Sequence, residues 1–548
     1  MEKYSLSLFH FNIQFMAGEI ETYHREVREA FSPLLDLLVN HPTWKFDIEL
    51  QGHMVEFLAK HYPYTLEKLK RLVDNGQVEL ISCHYSDQIW IAFPKVDMIK
   101  SIQMNDRVLK EHGLKRSRVL LTQEGFFGEG LAELSDYFDI CVTHSMYYTH
   151  FHPINEIKPY YKMGNLKVLI GPDLGIIEDL QWLWFQFGDG EPISVLGGPN
   201  NTRDFYFDKR KIADFERKLE GLEKSGYGII SLSDFVAKVE EKGFKAEELE
   251  PVLDGTGAMH RCGGAFQWMG KYVNDYEEDW VIRSHNFRTR SRLLASETLL
   301  KYAKDRGVET KEQYQLLEEA WRHQLLAEAS DPTGWVPSPK EVHYGIEESD
   351  QVLNIVQNII DYLKGKLKLG LIEVDTQTGE VNKFKGESLA ERKFVDSGQD
   401  SLAELFGAKG TIRQFQSKAN QVRMCVDFIP TERMSGVLKR YNVNYLQYSP
   451  ALMEDKLVRY NLDCFETNKL YLPLPNGLIT LRENFHIIKH NQDTHIACLI
   501  DKDEKMVKFQ MENAPQKDYH WVFTLFWGGA KEALRLANEI NIRPKVVI

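Results

Sequence analysis

A carboxylate at the end of an apolar run is the most chemically informative feature of this sequence. Residues 118–122 are largely apolar, and Glu124 follows them, with two glycines and two phenylalanines directly behind it. The pattern predicts a strand, an acid at its carboxyl end, a short loop and an amphipathic helix over 131–138. In α/β barrels the reacting groups sit at that end of the strands. A carboxylate beside aromatic rings suits sugar chemistry, because rings stack on pyranose faces and a carboxylate can attack an anomeric carbon.

A second apolar run, over 182–188, also ends in an acid, Asp189, which Gly190 follows. Glycosidases use two carboxyl groups that flank one bond, an ionised nucleophile and a protonated general acid. Glu124 and Asp189 at two strand ends of one barrel would meet that requirement. The competing interpretation is that Asp189 and Gly190 form an ordinary turn, and the residues alone leave both open.

Three polar residues near other predicted strands are further candidates. His10 and Asn12 follow the first predicted strand and suit hydrogen bonding to a sugar hydroxyl or to the nucleophile. A metal site is the alternative, although an uncharged asparagine is a weak ligand. Glu79 lies within a predicted strand, where a structural carboxylate bonded to nearby backbone is the favoured role.

Several histidines, tryptophans and one aspartate lie in segments that suit contact with a saccharide. A glycine-containing stretch over 260–268 is interpreted either as a lid over the barrel or as a connection between domains, and the loop near 331–337 has the same two interpretations. Aromatic side chains elsewhere are platforms for a sugar ring or, taken singly, core residues. The residues concerned are His84, Trp90, Trp182, Trp184, His260, Trp268, Asp331, Trp335 and His343.

The alternation of strands and helices defines the expected architecture. Strand patterns recur with amphipathic helices between several of them up to about residue 245, which indicates a mainly parallel sheet closed or nearly closed as a barrel. A 3.6-residue period then predicts helices over 278–303, 311–329 and 350–364. From about 368 the chain becomes β-rich, as in an antiparallel sandwich. The predicted domains are 1–250, 251–367 and 368–548. The predicted strands of the first domain are 5–11, 45–50, 77–82, 119–122, 139–143, 167–171, 182–188 and 228–232.

Composition excludes some classes of partner. The 548 residues carry a net charge of −13, which argues against nucleic acid and against an anionic membrane surface as the main partner. The six cysteines include no CxxC pair, which favours free thiols in a reducing compartment. The first residues show no signal-peptide pattern, and no window is apolar enough to span a bilayer. A cytosolic protein is therefore expected.

In the order of these pieces, the chain resembles glycoside hydrolase family 57 over roughly residues 1–365, and more distantly the family 38 α-mannosidases. The family's opening His-x-His-Gln-Pro is similar to residues 10–14, and its Gly-Gln-x-Glu is similar to 76–79. Its nucleophile signature resembles residues 121–124, and its Asp-Gly-Glu resembles 189–191. An aspartate in a Gly/Trp-containing loop resembles Asp331 within 329–335.

This resemblance implies a (β/α)7-type barrel, an α-helical subdomain and retaining chemistry on α-glycosidic bonds. It gives Glu124 the role of nucleophile and Asp189 that of acid/base, with no metal or cofactor required. A set of substrate-binding residues accompanies these two acids. They are His10, Asn12, Glu79, His84, Trp90, His260, Trp268, Asp331 and Trp335.

The chain also departs from both families. Asn12 replaces the second histidine of the opening signature, and Pro192 follows Asp-Gly-Glu where a bulky residue is usual. The zinc ligands of family 38 are not all present either, since Asn12 stands where that family has an aspartate and Ser330 where it has a histidine.

The sequence therefore favours a retaining glycosidase or glycosyl-transferring enzyme on α-linked oligosaccharides or glucans, with a carbohydrate as its partner. A metal-dependent deacetylase or mannosidase on a related barrel is the second hypothesis. A saccharide-binding protein without catalysis is the third. Neither the sugar nor the oligomeric state, for which a homo-oligomer is left open, follows from the residues.

Overall fold

The computed structural model of the protein describes most of the chain. The described residues are 1–145, 148, 152, 154, 156–190, 193, 195–196, 206–250, 254, 279–333, 337–386, 410–418, 421–428, 435–438, 445–461, 469–472, 474–492, 498–501, 503, 506–510 and 519–548.

The chain separates into two compact units. The first comprises Met1–Gln88 and Met98–Val252, and the second comprises Ile89–Asp97 and Leu253–Ile548. The finer division into three domains, at 1–250, 251–367 and 368–548, stays a prediction.

The first unit alternates strands with helices. Its strands are β1 (Glu2–Phe11), β2 (Phe46–Leu50), β3 (Val78–Ile81), β4 (Val119–Leu121), β5 (Ile140–His144), β6 (Tyr161–Met163), β7 (Leu166–Gly171), β8 (Gly175–Ile177), β9 (Leu180–Asp189), β10 (Val195–Leu196), β11 (Tyr206–Phe207) and β12 (Tyr227–Ile229). Its helices are α1 (Ile20–Glu26), α2 (Ser32–Asn40), α3 (Gly52–His61), α4 (Pro63–Asp74), α5 (Lys95–Glu111, which begins in the other unit), α6 (Lys209–Lys224) and α7 (Leu232–Glu241).

Eight of these strands form two parallel sets. In the first set β3, β2, β1 and β9 lie side by side and parallel, while β12 pairs with the first residues of β1. In the second set β4, β5 and β7 are parallel. The sets meet between β3 and β4, where the amide of Ser117 donates to the carbonyl of Leu80 at 2.7 Å. On the other side, the Phe187 ring of β9 lies 5.4 Å from the His144 ring of β5.

One apolar core joins the two parallel sets. Buried side chains of β1, β3, β4, β5, β7 and β9, together with α7, form a single cluster. Because apolar side chains of both sets share this interior, the strands surround a packed core, as in other barrels of this class. The predicted α/β class, with a (β/α)7-type barrel followed by helical and β-rich parts, is confirmed.

The second unit is helical first and β-rich afterwards. Its helices are α8 (Asp279–Lys304), α9 (Lys311–Ala327), α10 (Pro339–Leu367) and α11 (Ala530–Asn541). Its strands are β13 (Ile372–Asp375), β14 (Val381–Lys383), β15 (Gly410–Lys418), β16 (Gln421–Phe428), β17 (Ser435–Leu438), β18 (Tyr445–Tyr448), β19 (Val458–Asn461), β20 (Lys469–Leu472), β21 (Leu478–Arg482), β22 (Phe485–Lys489), β23 (Cys498–Asp501), β24 (Met506–Gln510), β25 (Tyr519–Trp527) and β26 (Lys545–Val547).

All strand pairs of the second unit that the structure describes are antiparallel. They form sheets in the orders β14-β13-β26, β15-β16-β25-β22-β21-β18-β19 and β17-β24-β23-β20. Helix α11 packs its apolar side on the largest of these sheets, since Ala533 and Ala537 cluster with Leu478, Ile488 and Phe526. Among the described residues, no helix combines the length and the apolar character needed to cross a bilayer.

Candidate active site at the carboxyl ends of the barrel strands

Three ionisable side chains stand on neighbouring strand ends in matching register. His10 of β1 pairs with Glu49 of β2 on one side and with Asp189 of β9 on the other. Side chains of directly paired residues in a sheet point to the same face. The His10 ring therefore lies between two carboxylates, and its Nδ1 is 2.5 Å from Oε2 of Glu49.

The environment of His10 favours the protonated ring. Burial by itself would lower the pKa of His10, but the charge and hydrogen bond of Glu49, with the charges of Asp87 and Asp189, hold it well above its usual value. Glu49 is itself almost fully buried, and Nε2 of Gln51 lies 3.2 Å from its Oε2. The mouth of the barrel thus holds an imidazolium surrounded by acids.

Glu124 adopts a backbone conformation that is rare for its residue type. It follows β4 in a short 3-10 turn with φ 56° and ψ 15°, in the left-handed region. Non-glycine residues held there carry strain, and such residues cluster at functional sites. Phe126 and Phe127, the aromatic neighbours expected to stack on a sugar, are both fully buried. That expectation is wrong for these two rings, which pack in the interior and anchor the loop.

Asp189 is the last residue of β9 and is exposed, and the amide of Ile193 donates to the carbonyl of Gly190 at 3.3 Å just beyond it. A turn therefore follows the strand end, and the catalytic role of Asp189 stays a prediction. The structure requires glycine on either side of Asp189, for a different reason at each position. Gly188 has a φ of 119°, which L side chains rarely adopt. A Cβ at Gly190 would lie 2.3 Å from the Phe11 ring, so only glycine fits there.

Two predicted substrate-binding residues occupy buried positions near His10. The side-chain oxygen of Asn12 accepts the amide hydrogen of Gln14 at 2.7 Å and caps a 3-10 turn over Ile13–Met16. Since this oxygen is engaged in the cap, Asn12 does not fit the ligand position of the family 38 zinc set. His84 follows β3 and is only 1% exposed. Burial lowers the pKa of His84, so its ring is neutral.

Glu79 lies at the other end of the barrel. It is near the amino end of β3, and its carboxylate accepts the amide hydrogen of Ser233, at 2.9 Å, and the Ser233 hydroxyl. Its partner in the β2–β3 register is Asp47, which accepts the amide of Leu232 at the same helix start. Glu79 therefore has the structural role, and we do not retain it as a substrate-binding residue.

The remaining predicted residues belong to the second unit, to the barrel core or to segments outside the described residues. Trp90 and Asp331 belong to the second unit, as does His343, whose Nε2 lies 2.9 Å from Oε1 of Glu347. Trp182 is buried in the barrel core. His260, Trp268 and Trp335 lie outside the described residues, as do Glu191 and Pro192.

Three acids of this region were missed from the sequence. Glu49 had a visible signal, because two acids in the otherwise apolar strand Phe46–Leu50 are unusual for a buried element. Asp87 lies in a loop without regular pattern, and its donor atom is within 4.8 Å of those of His10 and Glu49. Glu129 follows the Glu124 loop, and burial raises its pKa to about 7. Its Oε1 makes no hydrogen bond with any described residue.

Comparison with known proteins relates this end of the barrel to carbohydrate-active enzymes. The model of glycosyl hydrolase family 57 matches residues 9–168, a segment that includes His10 and Glu124 but not Asp189. An alpha-amylase of Pyrococcus horikoshii is 28% identical over 99 residues, which cover 18% of this chain and 16% of that protein. A 4-alpha-glucanotransferase of Thermococcus litoralis is 26% identical over 103 residues, which cover 19% and 15%. The matched region thus spans less than a fifth of the length of these relatives.

The similarity in fold extends much further than the similarity in sequence. An alpha-mannosidase from Enterococcus faecalis V583 has a TM-score of 0.65 to this chain, covering 100% of it and 89% of the mannosidase, at 9% identity. At that identity the likeness concerns the fold alone.

Proposed function

We propose that the protein is a retaining glycosidase or glycosyl-transferring enzyme that acts on α-linked oligosaccharides or glucans. Glu124 is the nucleophile and Asp189 the general acid/base. The observation that carries the proposal is the position of these two acids at the carboxyl ends of two strands of one barrel, Asp189 as the last residue of β9 and Glu124 in the turn that follows β4. The match of residues 9–168 to glycosyl hydrolase family 57 supports the same chemistry.

The proposed reaction has two displacements. In the first, Asp189 donates its proton to the glycosidic oxygen while a Glu124 oxygen bonds to the anomeric carbon, so the glycosidic bond breaks and a glycosyl ester forms. In the second, Asp189 takes a proton from water or from a sugar hydroxyl, whose oxygen displaces Glu124 at the same carbon. The two carboxyl groups must then lie about 5–5.5 Å apart.

The strand order supports this pairing. In the first set β9 is followed by β1, β2 and β3, and the hydrogen bond of Ser117 to Leu80 joins β3 to the start of β4. The two acids would therefore approach a bound sugar from well-separated strands. His10 lies between Asp189 and Glu49, where a protonated ring can donate a hydrogen bond to a sugar hydroxyl.

A screen of aryl α- and β-glycosides, scored by release of the aryl group, tests the proposal. We expect turnover of an α-glycoside and, with the matching 2-deoxy-2-fluoro sugar, a stable adduct that peptide mass analysis assigns to Glu124. An adduct on another residue would overturn the assignment of the nucleophile. Sugar binding without any turnover would instead favour a saccharide-binding protein.

A metal-dependent hydrolase is the second candidate. Its support is the fold likeness to the mannosidase and the cluster of His10, Glu49 and Asp87, whose donor atoms lie within 4.8 Å of one another. This candidate predicts that activity disappears on chelation and returns with added metal, whereas the retaining glycosidase keeps its turnover in a chelator.

The place of action is also a proposal. A cytosolic location is consistent with Cys83, Cys141 and Cys498, which are free thiols and buried.

A further inference from the structure

Three different kinds of metal-binding side chain meet near the carboxyl ends of β2 and β3. Glu49 lies in β2 opposite Ile81, and Cys83 and His84 follow Ile81 by two and three residues. One donor atom of each, a carboxylate oxygen, a thiol sulfur and an imidazole nitrogen, lies within 4.8 Å of the other two. Oxygen, sulfur and nitrogen donors together are typical of zinc sites in proteins.

All three side chains are withdrawn from solvent. Cys83 is fully buried, while Glu49 and His84 are each about 1% exposed. The Cys83 thiol donates to the carbonyl of Leu121 at 3.1 Å. A metal that bound here would have to displace the thiol proton, since a zinc-bound cysteine is a thiolate.

The second independent observation is the state of the His84 ring. Neither Nδ1 nor Nε2 makes a hydrogen bond of normal geometry with a described residue, although both atoms are buried. A buried polar group without a partner costs about 1–3 kcal/mol. A bound cation would satisfy one of the two nitrogens.

We propose that Glu49, Cys83 and His84 bind one Zn²⁺ ion. On binding, the Cys83 thiol releases its proton to solvent and a zinc–sulfur bond forms, while His84 and Glu49 each donate a lone pair. Ligands around tetrahedral zinc are roughly 3.4–3.8 Å apart, so small side-chain rotations close the observed spacing. Three protein ligands leave the fourth position to water.

This site differs from the one that the family 38 resemblance would imply, because it uses neither Asn12 nor Ser330. It also stands apart from the proposed function, since no step of that reaction passes through it. The hydrogen bond from His10 to Glu49 orients the carboxylate, as residues behind metal ligands do.

The test is zinc binding to the full chain, expressed without a histidine tag and stripped with a chelator. Metal content after dialysis against Zn²⁺ gives the stoichiometry. Calorimetric titration in buffers of different protonation enthalpy gives the number of protons released on binding. Co²⁺ in place of zinc reports sulfur ligation through its thiolate-to-metal absorption. The variants are Cys83→Ser and His84→Asn. The matched control is Cys141→Ser, which changes another fully buried free thiol of the same barrel.

We expect one zinc per chain, proton release on binding, and a cobalt–thiolate band in the parent and in Cys141→Ser. Cys83→Ser and His84→Asn should each weaken zinc binding more than about 100-fold, beyond the loss typical of supporting residues. Zinc retained equally by Cys83→Ser would overturn the site, as would a parent chain that binds none. Zinc retained by Cys83→Ser and His84→Asn but lost in Asp87→Asn would overturn the site in favour of the cluster of His10, Glu49 and Asp87. Zinc lost only in Glu220→Gln would overturn it in favour of His41, Glu216 and Glu220. If a variant fails to fold, the melting temperature of the parent with and without Zn²⁺ decides instead. Zinc binding to the folded parent should raise it, and no rise would count against the site.

Discussion

The two ends of the barrel carry similar acids with different hydrogen-bond partners. On β2, Asp47 and Glu49 are two residues apart and point to the same face. Asp47 accepts the amide of Leu232 at the start of α7, and its register partner Glu79 accepts the amide of Ser233. Glu49 instead bonds to the side chain of His10, next to Asp189.

The hydrogen-bond partners of these acids distinguish a structural carboxylate from a candidate catalytic one better than the residue type alone does. Acids at the amino end accept amides of a helix N-terminus, which fixes their side chains. Burial, and then the neighbouring Glu79, raise the pKa of Asp47 well above its usual value, which suits a structural carboxyl rather than a reacting one. At the carboxyl end, acids face other titratable side chains, and His84, Glu129 and the backbone of Glu124 carry unmet polar groups or strain. Such features concentrate at functional sites.

The largest effect that tests this comparison is expected from Glu124→Gln. Removal of the nucleophile should lower kcat by several orders of magnitude, because the glycosyl ester no longer forms, while the fold stays intact. Steady-state kinetics on the best aryl α-glycoside and circular dichroism measure the two properties.

Glu79→Gln is the matched control from the other end of the barrel. Since Glu79 contacts the start of α7 and its register partner Asp47, at the amino end of the strands, kcat per folded molecule should change less than about twofold. A large loss of kcat in Glu79→Gln, or near-native turnover in Glu124→Gln, would remove the distinction between the two ends.

Asp189→Asn should have the next largest effect, and one that depends on the leaving group. General acid–base catalysis contributes about 10²–10⁴-fold, and a good leaving group needs little protonation. We expect a loss within that range for natural α-glucans and a much smaller loss in the first step for a nitrophenyl glycoside. Pre-steady-state release of the aryl group measures it. Equal losses for both substrates would exclude Asp189 as the acid.

A smaller effect concerns stability near Glu124. Burial raises the pKa of Glu129 from 4.5 to about 7, so the folded protein keeps this carboxyl neutral over a range where the unfolded chain ionises it. The stability from the neutral form is present below about pH 4.5 and is lost as pH rises through about 7. Glu129→Gln should therefore be more stable than the parent at pH 8, by up to about 3 kcal/mol, with no such gain at pH 4.5. Denaturant unfolding at both pH values measures it, and a gain independent of pH would contradict the assignment.

The sequence predicted much of the barrel because its strands are apolar runs with clear ends. The strand predicted over 182–188 is Leu180–Asp189 in the structure, and that over 119–122 is Val119–Leu121. Helices α1 and α2 were missed, because a π-helical turn at Val27–Phe31 lies between them and interrupts the 3.6-residue period.

The site was less accessible to sequence reasoning than the fold. The roles of Glu124 and Asp189 stay predictions, but their positions at strand ends followed from pattern alone. Contacts between distant residues did not. The pairing of His10 with Glu49 depends on strand register, and the engagement of Glu79 with Ser233 joins residues 154 positions apart. A single sequence contains no signal for either contact.

The left-handed backbone at Glu124 places the proposed nucleophile in a conformation that lowers the stability of the fold. A glycine there would adopt the same conformation without strain and would stabilise the fold by about 1 kcal/mol, at the expense of the carboxylate proposed to form the glycosyl ester. Selection for thermal stability alone would therefore favour glycine at this position and would eliminate the proposed activity. Substitutions that raise stability without that loss must lie elsewhere in the barrel.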